Sequence, residues 1–369
     1  MTSKERMQTA MEHEEPDRVP YMATFVPEME LLLKKKYAQE LKACVGGKIQ
    51  MKYQGMNELD ILFGHDMLLL TYGLSTGYYR DTESDTYVDE WGITWRKVPY
   101  ETIQGTGYYT EIVEFPLADL SRIDSYTPPD PEDEDMTYAE GIIGRFGREK
   151  YICGIIDCSI FEALKYLRGI EQSLIDLVQE KDIAHRVMDM SVAYHLELGY
   201  RLIERGVDML WLADDIGGEH AMLMSPRTFR EMIKPKMGYM IGELKRRDPS
   251  IKVAFHSDGY IEPVIDDLIE VGVDLLNPIQ PESMDPDSIK RRYGDRIGLW
   301  GTVSVQDTLP FKGPDEVAAE VRERIRTCGP GGGFLIAPTH NIQLDVPLEN
   351  VDAFYRAVKE YGRYPLAVQ

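Results

Sequence analysis

Four short runs decide the fold: Met209–Ile216 (MLWLADDI), Lys252–Gly259 (KVAFHSDG), Leu275–Gln280 (LLNPIQ) and Gly333–His340 (GFLIAPTH). Each begins as an apolar stretch and ends in groups that do chemistry. In chain order these are Asp214 and Asp215, His256 and Asp258, Asn277 and Gln280, and His340. Strands of a parallel sheet are buried on both faces and read as continuous apolar runs. In parallel α/β folds the site lies at their C-terminal ends. The four runs therefore locate an active site before they name a reaction.

Working outward, Tyr151–Ile156 and Ile297–Gly301 add two more strands after residue 150. Helical stretches separate nearly all of them: 160–169, 171–205 ending at Gly206, 226–246, 261–271, 287–293, 314–328 and a closing 348–361. Such alternation implies a parallel sheet with helical crossovers. Val19–Thr24 and Met67–Tyr72 bring the expected strands to eight, a (β/α)₈ TIM-type barrel. A doubly wound open sheet is the alternative, but no glycine-rich loop follows the first strand. We expect one barrel domain over 1–369, interrupted by an insertion at 75–135. There Thr76–Trp95 and its continuation place aromatic and β-branched residues at period two, which suggests antiparallel hairpins after the second strand. The acidic Pro128–Asp135 (PPDPEDED) reads as the linker returning to the barrel.

Composition narrows the class. Sixty-three acids against 41 bases give a net charge of −22, a field that repels nucleic acid and anionic membrane. No apolar stretch approaches the roughly 20 residues of a bilayer span, and the N-terminus lacks a signal-peptide core. Four scattered cysteines make no disulfide framework, so the expectation is a cytoplasmic protein with reduced thiols.

His256 and Asp258, two apart at one strand end, share a side of the strand; His340 ends the last strand. Around one rim they could converge on a metal such as Zn²⁺ with an open position for substrate. The alternative makes His256 a hydrogen-bonding spacer and His340 a substrate-binding base. Asp214 and Asp215 are candidates for proton transfer or for holding a cation. The competing reading has one of the pair capping the next helix. Cys153 reads as core, whereas Cys158, just past its strand end, faces the site. Asn277 and Gln280 are expected to bind polar groups of a substrate. The insertion's tyrosines (Tyr72, Tyr78, Tyr79, Tyr87, Tyr108, Tyr109) with Trp91 and Trp95 either wall a ligand or pack across strands, and Tyr79 alone is assigned to substrate. Gly329–Gly333 follows a helix and opens a strand, so it reads as a turn at the far end rather than a phosphate loop.

Three blocks carry a family resemblance: SKERMQTAMEHEEPDRVPY (3–21), HSDGYIEPVIDDLIEVGVDLLNPIQPESMDP (256–286) and IAPTHNIQLDVPLENVDAFYRAVKEYGRY (336–364). Together they resemble the uroporphyrinogen decarboxylase superfamily over nearly the whole chain, with 75–150 least characteristic. That resemblance implies a distorted (β/α)₈ barrel and either of two activities. One is cofactor-free decarboxylation of a tetrapyrrole. The other is methyl transfer between a small molecule and a corrinoid protein, often with zinc.

The decarboxylases carry an arginine-rich stretch where this chain reads VPYMATFVPEMELLLKKK (19–36), and an eight-carboxylate substrate needs cationic partners. Thiol-activating methyltransferases show H-x-C and a late Cys where this chain has His256-Ser257-Asp258 and His340, a harder N/O set. The resemblance therefore implies the relatives that demethylate methoxy or methylamine-like substrates, with His256, Asp258 and His340 on a divalent metal. Asp214, Asp215 and His340 would be the catalytic groups. No D-x-H-x-x-G motif occurs in the chain, so the corrinoid would come from a separate protein. A homodimer is also what the resemblance implies.

Overall fold

Alternation along each strand sorts side chains into two sets, and this sorting builds the molecule. The computed structural model describes residues 1–44, 58–78, 80 and 84–366. Among the described residues the strands are β1 (Met67–Gly73), β2 (Thr86–Val88), β3 (Thr94–Thr102), β4 (Gly105–Glu114), β5 (Tyr151–Asp157), β6 (Met209–Ala213), β7 (Lys252–His256), β8 (Leu275–Asn277), β9 (Gly298–Trp300) and β10 (Phe334–Leu335). Seven form one parallel sheet in the order β1-β5-β6-β7-β8-β9-β10, the chain order of an α/β barrel. β2, β3 and β4 form a separate antiparallel sheet that follows β1.

The expected first strand, Val19–Thr24, is not a regular one. The segment closes the barrel through isolated parallel bridges, Tyr21 to Ile336 and Phe25 to Ile342. Pro20 has no N–H to give to a ladder, and the Tyr21 N–H goes to the Asp66 side chain instead (3.0 Å). The backbone N–H of Asp66 in turn donates to Tyr21 O (3.0 Å).

Every second residue of the barrel strands enters the interior. Met67 and Leu69, Tyr151, Cys153 and Ile155, Met209, Ala254, Leu275, Trp300, Leu335 and Ala337 form one buried cluster, into which Met7, Ala10 and Met11 of the N-terminal helix Ser3–Met11 insert. The interior is thus plugged at the bottom by a helix. The out-of-phase residues, such as Leu68, Leu70, Ile152, Leu210, Val253 and Leu276, join the larger core beneath the surrounding helices.

Gly331, Gly332 and Gly333 all have positive φ, and a Cβ on Gly332 would sit 2.2 Å from Glu14 O. The run is the turn under the plug, with Gly333 N–H donating to Ala10 O (2.9 Å).

Two expected helices are interrupted. The stretch 171–205 is two helices, Ile170–Gln179 and Lys181–Arg205, with Gly206 left-handed at the end of the second. The stretch from Pro226 contains a π-turn, Phe229–Ile233, just before Pro235, whose ring nitrogen cannot donate to the preceding turn. Among the described residues no helix is long and apolar enough to cross a membrane.

Candidate active site

The inward phase of the strands continues past their ends and lines one cavity of about 290 Å³. In β5 the phase 151, 153, 155 delivers Asp157. In β6 the phase 209, 211, 213 delivers Asp215. β7 delivers His256, β8 Asn277, and the segment after β10 Thr339 and His340. Trp211 and Trp300, with ring centroids 4.6 Å apart, lie among these lining residues, and Trp211 meets the His256 ring edge-on at 5.4 Å.

His256 is fixed by its neighbour strand. Its Nδ1 lies 2.7 Å from Asn277 Oδ1, and Asn277 Nδ2 donates to Trp300 O (3.1 Å). The amide orientation leaves Oδ1 as acceptor, so Nδ1 carries the proton and Nε2 faces the cavity. Nε2 is 3.8 Å from Asp258 Oδ1 and 3.7 Å from Asp215 Oδ1. His340 Nε2 is 4.0 Å from Asp258 Oδ2. One ligand atom from each of His256, Asp258 and His340 falls within a 4.8 Å group. Asp258 Oδ1 is buried without a hydrogen-bond partner. These separations are too long for direct hydrogen bonds and suit a cation between the groups. Burial pulls the His256 pKa down, but Asp258, Asp215, Asn277 and Glu162 outweigh it and the net shift is upward. Burial raises Asp215, yet His256 and Lys165 reverse the sign and hold it low.

The two neighbouring aspartates separate by phase. Asp215 lines the cavity and accepts from Asp258 N–H (2.9 Å). Asp214 is fully buried and points away from it. Its Oδ1 accepts from Ile160 N–H (3.1 Å) and Glu162 N–H (2.7 Å), at the start of the helix Phe161–Arg168. The sequence reading that made Asp214 a catalytic group thus meets a helix cap, because alternation turns residue 214 outward.

Gln280 is also a support. Its Oε1 accepts from Gly259 N–H and so holds the turn after Asp258. Cys158 lines the cavity with a positive φ of 56°, a strained conformation for a side chain with a Cβ. Burial pushes its thiol well above the ordinary range, as do Glu162 and Asp157, so it stays protonated. Of the insertion's aromatic residues, Tyr78 and Tyr109 line the cavity, while Tyr72, Trp91 and Trp95 are core. Tyr79 lies outside the described residues.

Sequence reasoning missed several lining groups: Ser75, Asp157, Glu162, Tyr166, Trp211, Trp300, Asn341 and Gln343. Asp157 was findable, since it is the next in-phase position of Tyr151–Ile156, a strand read one residue short. Glu162 and Tyr166 sit on a helix that returns to the wall, and no strand pattern announces them. Tyr166 OH lies 2.7 Å from Tyr78 OH, and Glu162 takes Lys165 at 3.1 Å.

Among known proteins, a family model described as Uroporphyrinogen decarboxylase (URO-D) matches residues 101–361. The chain is 27% identical over 185 residues to a Methylcobamide:CoM methyltransferase MtaA of Methanosarcina barkeri, covering 50% of this chain and 51% of that protein. It is 26% identical over 163 residues to a Uroporphyrinogen decarboxylase of Magnetococcus marinus, covering 43% of each. The chain thus spans about half the length, or less, of these curated relatives. Among solved structures, a methyltransferase from Methanosarcina mazei superposes with a TM-score of 0.67 at 19% identity, over 98% of this chain and 99% of that one, a likeness of fold.

Proposed function

We propose that this chain, which belongs to the uroporphyrinogen decarboxylase family, is a methyltransferase that moves a methyl group from a small methylated substrate to a corrinoid held by a separate protein. The substrate is a methoxy compound or a methylamine-like one. The observation that carries this reading is the His256–Asp258–His340 cluster with its unpartnered Asp258 oxygen, set over Trp211 and Trp300. A cavity of about 290 Å³ is at the small end of ligand sites, which run from roughly 300 Å³. Among its described lining residues are Asp157, Glu162 and Asp215 but no arginine or lysine. That lining is poorly matched to a substrate bearing many carboxylates, and so speaks against the tetrapyrrole decarboxylation named for the relative from Magnetococcus marinus.

In this reading His256, Asp258 and His340 hold a divalent metal such as zinc, and Asn277 sets the tautomer that frees Nε2. The metal, when bound, supplies Lewis acidity toward the heteroatom that carries the methyl group. Asp215 holds the Asp258 backbone, Gln280 holds Gly259, and the two tryptophans give the cavity an apolar wall beside His256. An N/O ligand set is harder than a thiolate one and favours an oxygen or nitrogen donor over a thiol. The whole chain acts as one barrel domain with 75–135 as its insertion, and the mouth receives the corrinoid protein.

Metal content of the purified protein, measured beside a His256→Ala/His340→Ala variant, tests this. We expect about one divalent metal per chain, lost in the variant, together with methyl transfer to cob(I)alamin by the wild type. A metal-free wild type would remove the metal-assisted reading. Formation of coproporphyrinogen from uroporphyrinogen would replace it with decarboxylation.

A further inference from the structure

One lining carboxylate has no task in the scheme above. Asp157 is the last residue of β5 and stands on its inward phase, at the strand end where barrel enzymes place reacting groups. Ser75 Oγ donates to Oδ1, and among the described residues no other side chain hydrogen-bonds the carboxyl. Burial pushes Asp157 up to about 7; Glu162 adds to the rise, while Ser75 and His256 oppose it. A carboxyl so placed is protonated in about half of the molecules at neutral pH and faces the same space as His256 and Asp215.

We propose that Asp157 is the general acid that protonates the heteroatom released when the methyl group leaves, and that the donor is therefore a methyl ether. This rests on the methyltransferase reading. The carbon–oxygen bond breaks and its electron pair stays on oxygen. The methyl carbon bonds to cobalt of the partner's reduced corrinoid, which supplies the pair for the new bond and goes formally from Co(I) to Co(III). The Asp157 proton moves to the oxygen, so an alcohol or phenol leaves and a carboxylate remains, to be reprotonated from water at the mouth. An ether needs this proton because an alkoxide or phenoxide is basic. A methylated ammonium does not, because its leaving amine departs neutral.

The test is methyl transfer to cob(I)alamin from a graded series of para-substituted anisoles and from phenyltrimethylammonium. Wild type is compared with Asp157→Asn and Asp157→Glu. In Asp157→Asn we expect a loss of roughly 10²-fold or more with unactivated anisole. The loss should shrink toward none with 4-nitroanisole, and Asp157→Glu should recover part of it. A uniform loss across all ethers would make Asp157 a structural residue and overturn the inference, as would unchanged anisole turnover. Wild type inactive with every donor would instead sink the methyltransferase reading itself. Infrared difference spectra give a readout free of turnover: a protonated-carboxyl band at mildly acidic pH in wild type, lost in Asp157→Asn. A wild-type-minus-Asp157→Asn difference spectrum without such a band would overturn the assignment.

Discussion

At the bottom of the barrel Asp66 accepts four hydrogen bonds; at the mouth Asp258 keeps a buried oxygen that accepts none. The two carboxylates flank opposite ends of the same sheet. Asp66 is fully buried and takes the Arg6 and Arg18 guanidinium groups at 2.7 Å each, with Arg6 also paired to Asp17. Arg6 holds the Asp17 carboxyl down to about 2. Around Asp258 the His256 and His340 imidazoles stand 3.8 and 4.0 Å off, beyond hydrogen-bond distance. A folded chain tolerates a buried polar group when it is paired. An unpartnered carboxylate oxygen with two imidazoles within about 4 Å of its carboxylate, as at Asp258, is the donor arrangement of a metal site.

The comparison breaks most sharply at the bottom. Asp66→Ala takes the carboxylate partner from Arg18, leaves Arg6 with Asp17 alone, and unstitches the closure at Tyr21. It should cost about 3–5 kcal/mol of stability. Urea unfolding reads the loss, and metal retained per folded molecule should not change. At the mouth, Asn277→Ala should do the reverse. It frees the His256 ring and should weaken metal binding roughly 10–100-fold with little effect on the unfolding midpoint. A competition titration with a chelator measures it. Equal metal loss in Asp66→Ala and Asn277→Ala would mean that the two ends are not separable.

The same contrast explains what was legible from sequence. Strand ends carrying His256, Asp258, Asn277, Asp215 and His340 stand out because polar residues abruptly follow apolar ones, and the barrel follows from strand–helix alternation. Val19–Thr24 misleads because Pro20 and the Asp66 side chain take that segment out of the ladder, a tertiary effect that no local pattern carries. Gln280 is legible as a polar group past a strand end, whereas the bond from Gly259 N–H to its oxygen is a tertiary contact that no local pattern carries. Glu162 and Tyr166 were invisible because they reach the cavity from a helix, where period 3.6 rather than period two decides which residue faces in. Asp157 follows from the same period-two phase once β5 is carried one residue past Ile156.

Phase also sets the smallest expected effect. Asp214 and Asp215 are adjacent, identical in chemistry and opposite in direction. Asp214 satisfies two N–H groups at the head of the helix Phe161–Arg168, and its other oxygen is buried without a partner. Burial, with Glu162 nearby, drives its pKa well up, so the cap is worth less than a fully ionised one. Asp214→Ala should therefore cost about 1 kcal/mol, within the range of lost N-caps, and Asp214→Asn, which keeps the acceptor, less. Neither should release metal. Asp215→Ala removes a carboxylate 3.7 Å from His256 Nε2 and the acceptor of the Asp258 N–H, so it should lower metal retention while leaving unfolding nearly as it was. If Asp214→Ala released metal and Asp215→Ala did not, alternation along β6 would run the other way and the assignment of every mouth residue by phase would fall with it.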